Sequence, residues 1–370
     1  MTVPAAYAGR IARVLVAIAG ALAMFSMRTA PLAGQDGSPH SFCNASEVQL
    51  AGASGACTAT AQAAGSAHPL LALLVAGGNP TLGTAGTQRL RLGALPRVSA
   101  GVRLNAVGLR LPDVLNGQPG EPGYLTERIG VRAPAVVGEL SVSLFPGFQL
   151  APGIGGIGGL SLLGSVGVLP FELFDTEGFG GSDPAFGIGA RLHLIDESFQ
   201  LPAVSLSLIR VSASGIRFGD VCPGGLTGVP SSTNPEIGAC ASAGDAGEFG
   251  LDLTSWSTRL VASKQLFGVG AAVGVGHDSS EGELDFGFRG TEPLEGADLA
   301  PAFRIRGTDL DSGRWTAFGN LSFTFLVTSI TAEAGWVQGE RAVEGFRELA
   351  SEFDPADGSW YGSLGIRLAL

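Results

Sequence analysis

Charge is scarce in this chain of 370 residues. Asp, Glu, Lys and Arg make up 15% of it, against about 25% in ordinary soluble domains. Lys264 is the only lysine. Glycine is abundant, with 58 residues, and the mean hydropathy is +0.32. This composition is too apolar for an ordinary soluble domain and too rich in glycine for a helical membrane protein.

Several chemical signatures are also missing. No C-x-x-C pair accompanies the four cysteines, which argues against a zinc site. Residues 309–313 have part of a calcium-loop spacing, but the acidic residue that would close the loop is lacking. The G-x-G patterns lie within predicted strands and not between a strand and a helix, so they indicate no nucleotide site. We therefore predict no metal and no cofactor.

The first 34 residues have the pattern of a secretory signal peptide. Arg10 and Arg13 precede an apolar run at 14–25, and small residues follow as far as Gly34. The run is too short to span a membrane as a helix. Loss of this segment removes three arginines and changes the formal charge from −11 to −14. We do not expect an acidic exported protein to bind nucleic acid.

The four cysteines form an even number in a chain that we expect to be exported, which predicts disulfide bonds. Three pairings are possible. We favour the pairing of nearest neighbours, which joins Cys43 to Cys57 and Cys222 to Cys240.

Alternation of apolar and polar residues dominates the rest of the sequence. In 97–106 the apolar residues Val98, Val102 and Leu104 alternate with Arg97, Arg103 and other polar or small residues. Successive side chains of a strand point to opposite faces, so each such segment predicts a strand with one apolar face. Similar alternation recurs at 89–94, 139–144, 186–194, 204–208, 249–253, 267–275, 283–289, 303–305, 321–327, 330–336 and 364–370.

The final strand shows the pattern clearly, because Leu364, Ile366, Leu368 and Leu370 alternate with small or charged residues. A chain with a signal peptide, many alternating strands and such a last strand resembles the bacterial outer-membrane β-barrel proteins. The resemblance implies that apolar faces meet lipid and lipopolysaccharide, that polar faces line the lumen, and that the barrel-assembly machinery reads the last strand. It also implies the outer membrane of a Gram-negative bacterium as the location.

The predicted connections alternate between short and long, as periplasmic turns and outer loops of such barrels do. Short ones fall near 95–96, 196–200, 263–265 and 328–329, and long ones at 112–128, 172–184, 217–247 and 339–358. We predict an all-β, up-and-down antiparallel barrel of about 14 strands over residues 69–370. Residues 35–68 form a periplasmic extension or plug. A barrel of about 12 strands, with 70–76 as part of the plug, is the alternative.

Ionisable side chains of the predicted lumen face are the candidate functional residues. They either form a selectivity lining or pair with one another across a narrow lumen. These residues are Arg97, Arg103, Glu139, Arg191, His193, Glu333 and Arg367.

The predicted function is a porin-like channel or passive transporter for a small or amphiphilic solute. Resemblance to the long-chain fatty-acid channels implies a hydrophobic cargo. One alternative is a non-conducting surface barrel whose outer loops bind a partner. Another is a barrel hydrolase acting on lipid, for which His193 with Ser205 or Ser207 is the candidate pair. That pair has no orienting third group and no lipase motif, so we expect no enzyme and no catalytic residue.

Overall fold

The computed structural model describes residues 54–86, 97–112, 128–151, 154–170, 182–199, 201–219, 244–291, 293, 300, 302–339 and 358–369. These residues contain one helix, α1 (Ser54–Ala76), and twelve strands. The strands are β1 (Arg97–Pro112), β2 (Arg128–Phe145), β3 (Phe148–Ala151), β4 (Ile154–Ile157), β5 (Gly159–Val168), β6 (Ala185–Ile195), β7 (Ala203–Gly219), β8 (Ala246–Leu266), β9 (Val269–Arg289), β10 (Ala302–Phe325), β11 (Thr328–Val337) and β12 (Ser359–Ala369).

Ten of the strands close into an antiparallel barrel. Each strand pairs with the strands that precede and follow it along the chain, and β2 pairs with β5 across the inserted β3 and β4. The barrel is closed by β12, whose residue Leu368 lies opposite Ala100 of β1. Strands β3 and β4 pair with each other in a small sheet outside the barrel. The predicted fold class, an all-β antiparallel barrel, is confirmed.

The barrel has ten strands, not the expected fourteen or twelve. The segments at 267–275 and 283–289, predicted as two strands, form one strand, β9, from Val269 onward, and the segments at 303–305 and 321–327 form one strand, β10, as far as Phe325. Residues 70–76 are a strand in the fourteen-strand prediction and part of the plug in the twelve-strand alternative; they form the last turns of α1, as part of the plug. The segment 89–94 lies outside the described residues. The polar stretches within β9 and β10 were interpreted as connections because apolar alternation stops there, yet both strands continue through them.

The connections divide the barrel into two ends. The connections at 196–202, 267–268 and 326–327 are short and lie at the short-turn end, where β1 also begins; the longer connection at 146–158, which contains β3 and β4, lies at the same end. Long ones at 113–127, 169–184, 220–245, 290–301 and 338–358 lie at the long-loop end. Four long connections were predicted within a few residues. The turns predicted at 263–265 and 328–329 are instead at 267–268 and 326–327, because the polar residues of the predicted turns belong to the strands.

An apolar belt covers the outside of the barrel from the short turns to a ring of tryptophans. Leu321, Phe323 and Phe325 of β10 are exposed on this belt, as are Leu364 and Leu368 of β12. In water such a surface would be strongly unfavourable, so the belt marks the part that lipid covers. The tryptophans that end the belt towards the long loops are Trp256, Trp315, Trp336 and Trp360.

Both faces of the longer strands change character beyond the tryptophans. The outward face of β9 changes from Val269, Val273 and Val275 to the exposed Ser279, Glu281 and Glu283, while its buried inward face changes from small and polar residues to Leu284, Phe286 and Phe288. The outward face of β7 changes in the same way, from Leu206 and Leu208 to the exposed Arg210 and Ser212. The outer face therefore passes from lipid to water along a single strand, and the inner face becomes an apolar core.

Candidate functional site: a plug held in the lumen

Helix α1 and the segment 77–86 fill the lumen, and we call residues 54–86 the plug. The helix contacts strands all round the barrel, including β1, β2, β7, β8, β9 and β10. His68 lies against Gly282 in the long-loop half of β9, whereas Gly86 lies against Ala203 at the start of β7. The plug therefore descends from the long-loop end to the short-turn end. The domain boundary drawn between 68 and 69 falls inside α1, and residues 1–53 lie outside the described part of the chain.

The end of α1 is set by its sequence and by the barrel wall. Residues 70–76 are apolar and buried on every side, which is why they show neither strand alternation nor an amphipathic pattern. Gly77 ends the helix with a φ of +69°, and its N–H donates to the Leu73 carbonyl at 2.7 Å. Glycine adopts this left-handed conformation without steric cost. A Cβ atom at Gly77 would overlap the Arg103 guanidinium.

Three buried arginines, Arg103, Arg191 and Arg259, form what we call the arginine clamp. Arg103 donates from Nη2 to the Ala76 carbonyl at 2.8 Å and from Nη1 to the Asn79 carbonyl at 3.0 Å. Arg259 donates from Nε to the Gly78 carbonyl at 3.0 Å and from Nη2 to the Gly77 carbonyl at 3.1 Å. The C-terminal end of a helix carries a partial negative charge, so these cations stabilise the docked plug.

Carboxylates balance two of the three clamp cations. Glu139 Oε1 lies 2.9 Å from Arg103 Nε, and Asp278 Oδ1 lies 2.6 Å from Arg259 Nη2. Glu333 Oε2 accepts a hydrogen bond from the backbone N–H of Asn79 at 3.1 Å. Buried charges are tolerated when they are paired and hydrogen-bonded, so this part of the lumen joins wall and plug into one network.

Arg191 is balanced differently. It is 1% exposed. Its Nε donates to Ser207 Oγ at 2.9 Å, its Nη2 to Asn79 Oδ1 at 2.9 Å and its Nη1 to the Thr84 carbonyl at 3.1 Å. All three acceptors are neutral. Among the described hydrogen bonds, those of Arg191 therefore leave a buried cation without a directly bonded anion.

A small cavity lies where the clamp meets the plug. Its volume is about 10 Å³, and it is lined by Arg103, Glu139, Pro80, Ser165 and other residues. That volume is about what a single water molecule requires. The cavity therefore has room for a water molecule between wall and plug but none for a solute.

His193 contacts a different serine from those considered in the sequence. Its Nδ1 lies 3.1 Å from the Ala85 carbonyl and its Nε2 lies 2.9 Å from Ser161 Oγ. Because a carbonyl only accepts, Nδ1 carries the proton and Nε2 accepts from the serine hydroxyl. Ser207 accepts from Arg191 instead. The third group of the His193–Ser161 pair is a backbone carbonyl of the plug, so the described contacts fix the plug and do not form a catalytic triad.

The structure places all seven predicted site residues on the inward face. Arg103, Arg191 and Glu333 hydrogen-bond to residues 76–79, Glu139 pairs with Arg103, and His193 contacts the plug at Ala85. Arg97 and Arg367 lie nearer the short-turn end and are partly buried. Sequence reasoning missed Arg259 and Asp278. Arg259 alternates with Trp256, Leu260 and other outward residues, so continuing the predicted strand beyond residue 253 would have found it.

Cys57 is fully buried in α1. Cys43, Cys222 and Cys240 lie outside the described residues, so both predicted disulfide pairings stay predictions. Within the part of the chain that the structure describes, no group of His, Cys, Asp and Glu has the geometry to hold a metal ion. No described helix is long and apolar enough to cross a membrane.

His68 lies in the part of the plug nearer the long-loop end, level with the acidic outer face of β9. Burial lowers the pKa of His68 to about 4; the positive charge of Arg314 acts in the same direction, and a hydrogen bond to the backbone of Glu281 opposes both. Its Nε2 has no hydrogen-bond partner among the described residues. His68 is therefore neutral in the docked plug at neutral pH.

The closed barrel and its apolar belt define the chain as a transmembrane β-barrel of the bacterial outer-membrane class. No protein-family model and no curated protein matches the sequence. Among solved structures, the chain is similar to the outer-membrane protease OmpT of Escherichia coli, with a TM-score of 0.32, 10% identity, and coverage of 77% of this chain and 100% of OmpT.

Two further structures give comparable figures. The translocator domain of the autotransporter NalP of Neisseria meningitidis has a TM-score of 0.33 and 11% identity, over 75% of this chain and 88% of that one. The toluene transporter TodX of Pseudomonas putida has a TM-score of 0.29 and 8% identity, over 80% and 99%. These proteins differ in function, and at such TM-scores nothing about the function of this chain follows from them.

Proposed function

We propose that the chain is a passive transporter that carries a small amphiphilic anion across the outer membrane when the plug moves. The observation that carries this proposal is the environment of Arg191, a buried cation whose described hydrogen bonds all go to neutral acceptors. Charge-assisted hydrogen bonds are roughly twice as strong as neutral ones. An anionic group that enters the lumen therefore competes well with Asn79 and Thr84 of the plug for Arg191.

The two zones of the lumen support an amphiphilic solute. Between the arginine clamp and the long-loop end, the inward face carries Leu251, Leu284 and Phe286, all of them buried against neighbouring apolar residues. At the level of the clamp the inward face is polar and rich in serine. A solute with an apolar tail towards the long-loop end and an anionic head at Arg191 matches both zones.

Gly77→Val tests whether movement of the plug opens the lumen. A valine at this position combines an unfavourable positive φ with overlap of the Arg103 guanidinium, so it should displace the plug without substituting any residue of the wall. In planar bilayers we expect the wild type to be mostly closed and Gly77→Val to conduct. Gly108→Val is the matched control, because a Cβ there meets nothing within 4 Å.

Selectivity tests the role of Arg191. Uptake into vesicles is measured for an alkyl sulfonate and for an alkyltrimethylammonium of the same chain length, since neither loses its charge with pH. In the Gly77→Val background the sulfonate should enter faster, and adding Arg191→Met should reduce that preference about tenfold. Arg210→Met changes an exposed outward arginine and is the control. Equal uptake of the two ions by Gly77→Val would contradict the proposal.

A second candidate function, a non-conducting surface barrel, is favoured by the close packing of the plug. Gly77 and Gly78 lie so near Arg103, Tyr361 and Glu333 that neither has room for a Cβ. If the plug is a permanent part of the core, Gly77→Val lowers the stability of the barrel and yields no conductance. The same bilayer experiment therefore separates the two functions.

A further inference from the structure

Each of the four connections at the short-turn end carries a large apolar side chain that is exposed. Phe148 is 62% exposed, Phe199 85%, Phe267 100% and Leu326 80%. They lie in the connections at 146–158, 196–202, 267–268 and 326–327. We call these four residues the tip ring. Turns that face water are normally built from Gly, Asn, Asp, Ser and Pro. The apolar composition of the tip ring therefore indicates that these turns do not face water.

Two tip residues hold an unfavourable backbone conformation. Phe267 has a φ of +50° and Leu326 a φ of +54°. A left-handed conformation costs a residue with a Cβ atom roughly 1–2 kcal/mol, and two-residue hairpin turns favour Asn-Gly for this reason. Gly268 already supplies the second residue of that pair. Folding alone therefore favours Asn over Phe at 267, and the phenyl group must stabilise the protein in another way.

Lys264 donates hydrogen bonds to three carbonyl groups of one turn. Its Nζ donates to the carbonyl oxygens of Phe199 at 2.9 Å and Leu201 at 3.2 Å, and also to that of Ser198. Carbonyls of an exposed turn in water need no such partner, because water solvates them. In the bilayer, backbone polar groups have to be satisfied by the protein. The only lysine of the chain thus occupies the place expected if this turn lies at lipid depth.

The height of the apolar belt gives the depth of the tips. Ten residues separate Trp315 from Phe325, and ten separate Trp256 from Leu266. Strands that rise about 3.3 Å per residue and tilt by about 40° cover roughly 25 Å over ten residues, which is the height of the lipid-facing band of such barrels. The tryptophans therefore mark one edge of the bilayer, and the tip ring lies at the other edge.

From these observations we infer that the tip ring is inserted in the headgroup layer of the inner, periplasmic leaflet. The short turns themselves form the second interfacial girdle, in place of aromatic residues within the strands. The partner of this surface is phospholipid, and the inference holds whatever passes through the lumen.

Lipid quenching tests the depth of the tips directly. Phe267→Trp and Leu326→Trp are folded separately into phosphatidylcholine vesicles whose lipids carry bromine close to the headgroups. The fluorescence of the wild type, which reports its four tryptophans, is subtracted. We expect the added tryptophan at either tip to be quenched about twofold more strongly by these vesicles than by aqueous iodide, as for an interfacial aromatic residue.

Glu283→Trp is the matched control, because it places a tryptophan on the exposed outward face of the same hairpin, beyond the opposite edge of the belt. It should be quenched by iodide and not by the brominated lipid. If the tip tryptophans behave like Glu283→Trp, the inference is overturned, and the ring is then a surface for a periplasmic protein. Phe267→Asn should fold at least as well as the wild type in detergent, which separates loss of lipid contact from misfolding.

Discussion

Removing the guanidinium of Arg259 should release the plug more effectively than any other single truncation in the clamp. All five of its N–H groups are used: beyond the bonds to Gly77, Gly78 and Asp278, Nη1 donates to the carbonyls of Thr258 at 3.2 Å and His277 at 3.4 Å. In Arg259→Met, the stem of the side chain stays and the five donors are lost.

The magnitude follows from what is left behind. Arg259 is fully buried and Asp278 is 7% exposed at its side chain. Breaking a buried ion pair by removing one partner costs about 3–5 kcal/mol, because the remaining charge has lost its compensation. That corresponds to a change of more than about a hundredfold in the folding equilibrium. Arg259→Met with Asp278→Leu removes both charges and should recover much of the loss, while the two plug carbonyls stay without donors.

Arg304→Met is the control for the removal of an ion-paired arginine. Arg304 lies 2.9 Å from Glu248 and 3.6 Å from Asp285, but its side chain is 50% exposed. Such pairs contribute at most about 1 kcal/mol. Urea unfolding in vesicles, followed by tryptophan fluorescence and by the gel shift of heated and unheated samples, measures all the variants. Equal destabilisation by Arg259→Met and Arg304→Met would show that burial of the clamp does not matter.

Two further predictions concern His68 and Lys264. The pKa of His68 is about 4 in the folded protein and near 6.5 in the unfolded chain. The stability that comes from keeping His68 neutral is therefore fully present above pH 6.5 and is lost as the pH falls towards 4, by up to about 3 kcal/mol. The urea midpoint of the wild type should fall over this range more steeply than that of His68→Gln, and parallel curves would refute the assignment. Lys264→Met should lower the free energy of unfolding in vesicles by about 1 kcal/mol, because turn carbonyls lose their donor, whereas Lys264→Arg should retain most of that free energy; no difference between the two would show that water solvates this turn.

The sequence predicts the faces of the strands better than their number. Alternation identifies inward and outward residues correctly in 97–106 and 364–369, since one face meets lipid and the other the polar lumen along the whole segment. It disappears in 276–283, where both faces are polar or small because the strand is leaving the lipid. A prediction based on alternation therefore ends the strand at this point, although the backbone pairing with β8 continues from Gly276 to Arg289.

The plug and the turns were harder to predict for related reasons. A helix enclosed by a barrel is buried on every side, so 70–76 has no period that distinguishes a helix from a strand. Turn positions were assigned to polar residues at 263–265 and 328–329, whereas the true turns are apolar. The ionisable residues of the lumen were identifiable one by one, but their convergence on the plug depends on barrel closure, which no local pattern encodes.

The plug is held through its C-terminal part, and the bonds that hold it come from charged groups of the wall. Arg103, Arg191 and Arg259 donate to residues 76–84, and Glu333 accepts from the backbone N–H of Asn79. The carboxylates that balance Arg103 and Arg259 belong to the wall as well. Buried hydrogen bonds to charged groups are costly to break one at a time. The opening of the lumen that we propose therefore requires these bonds to break.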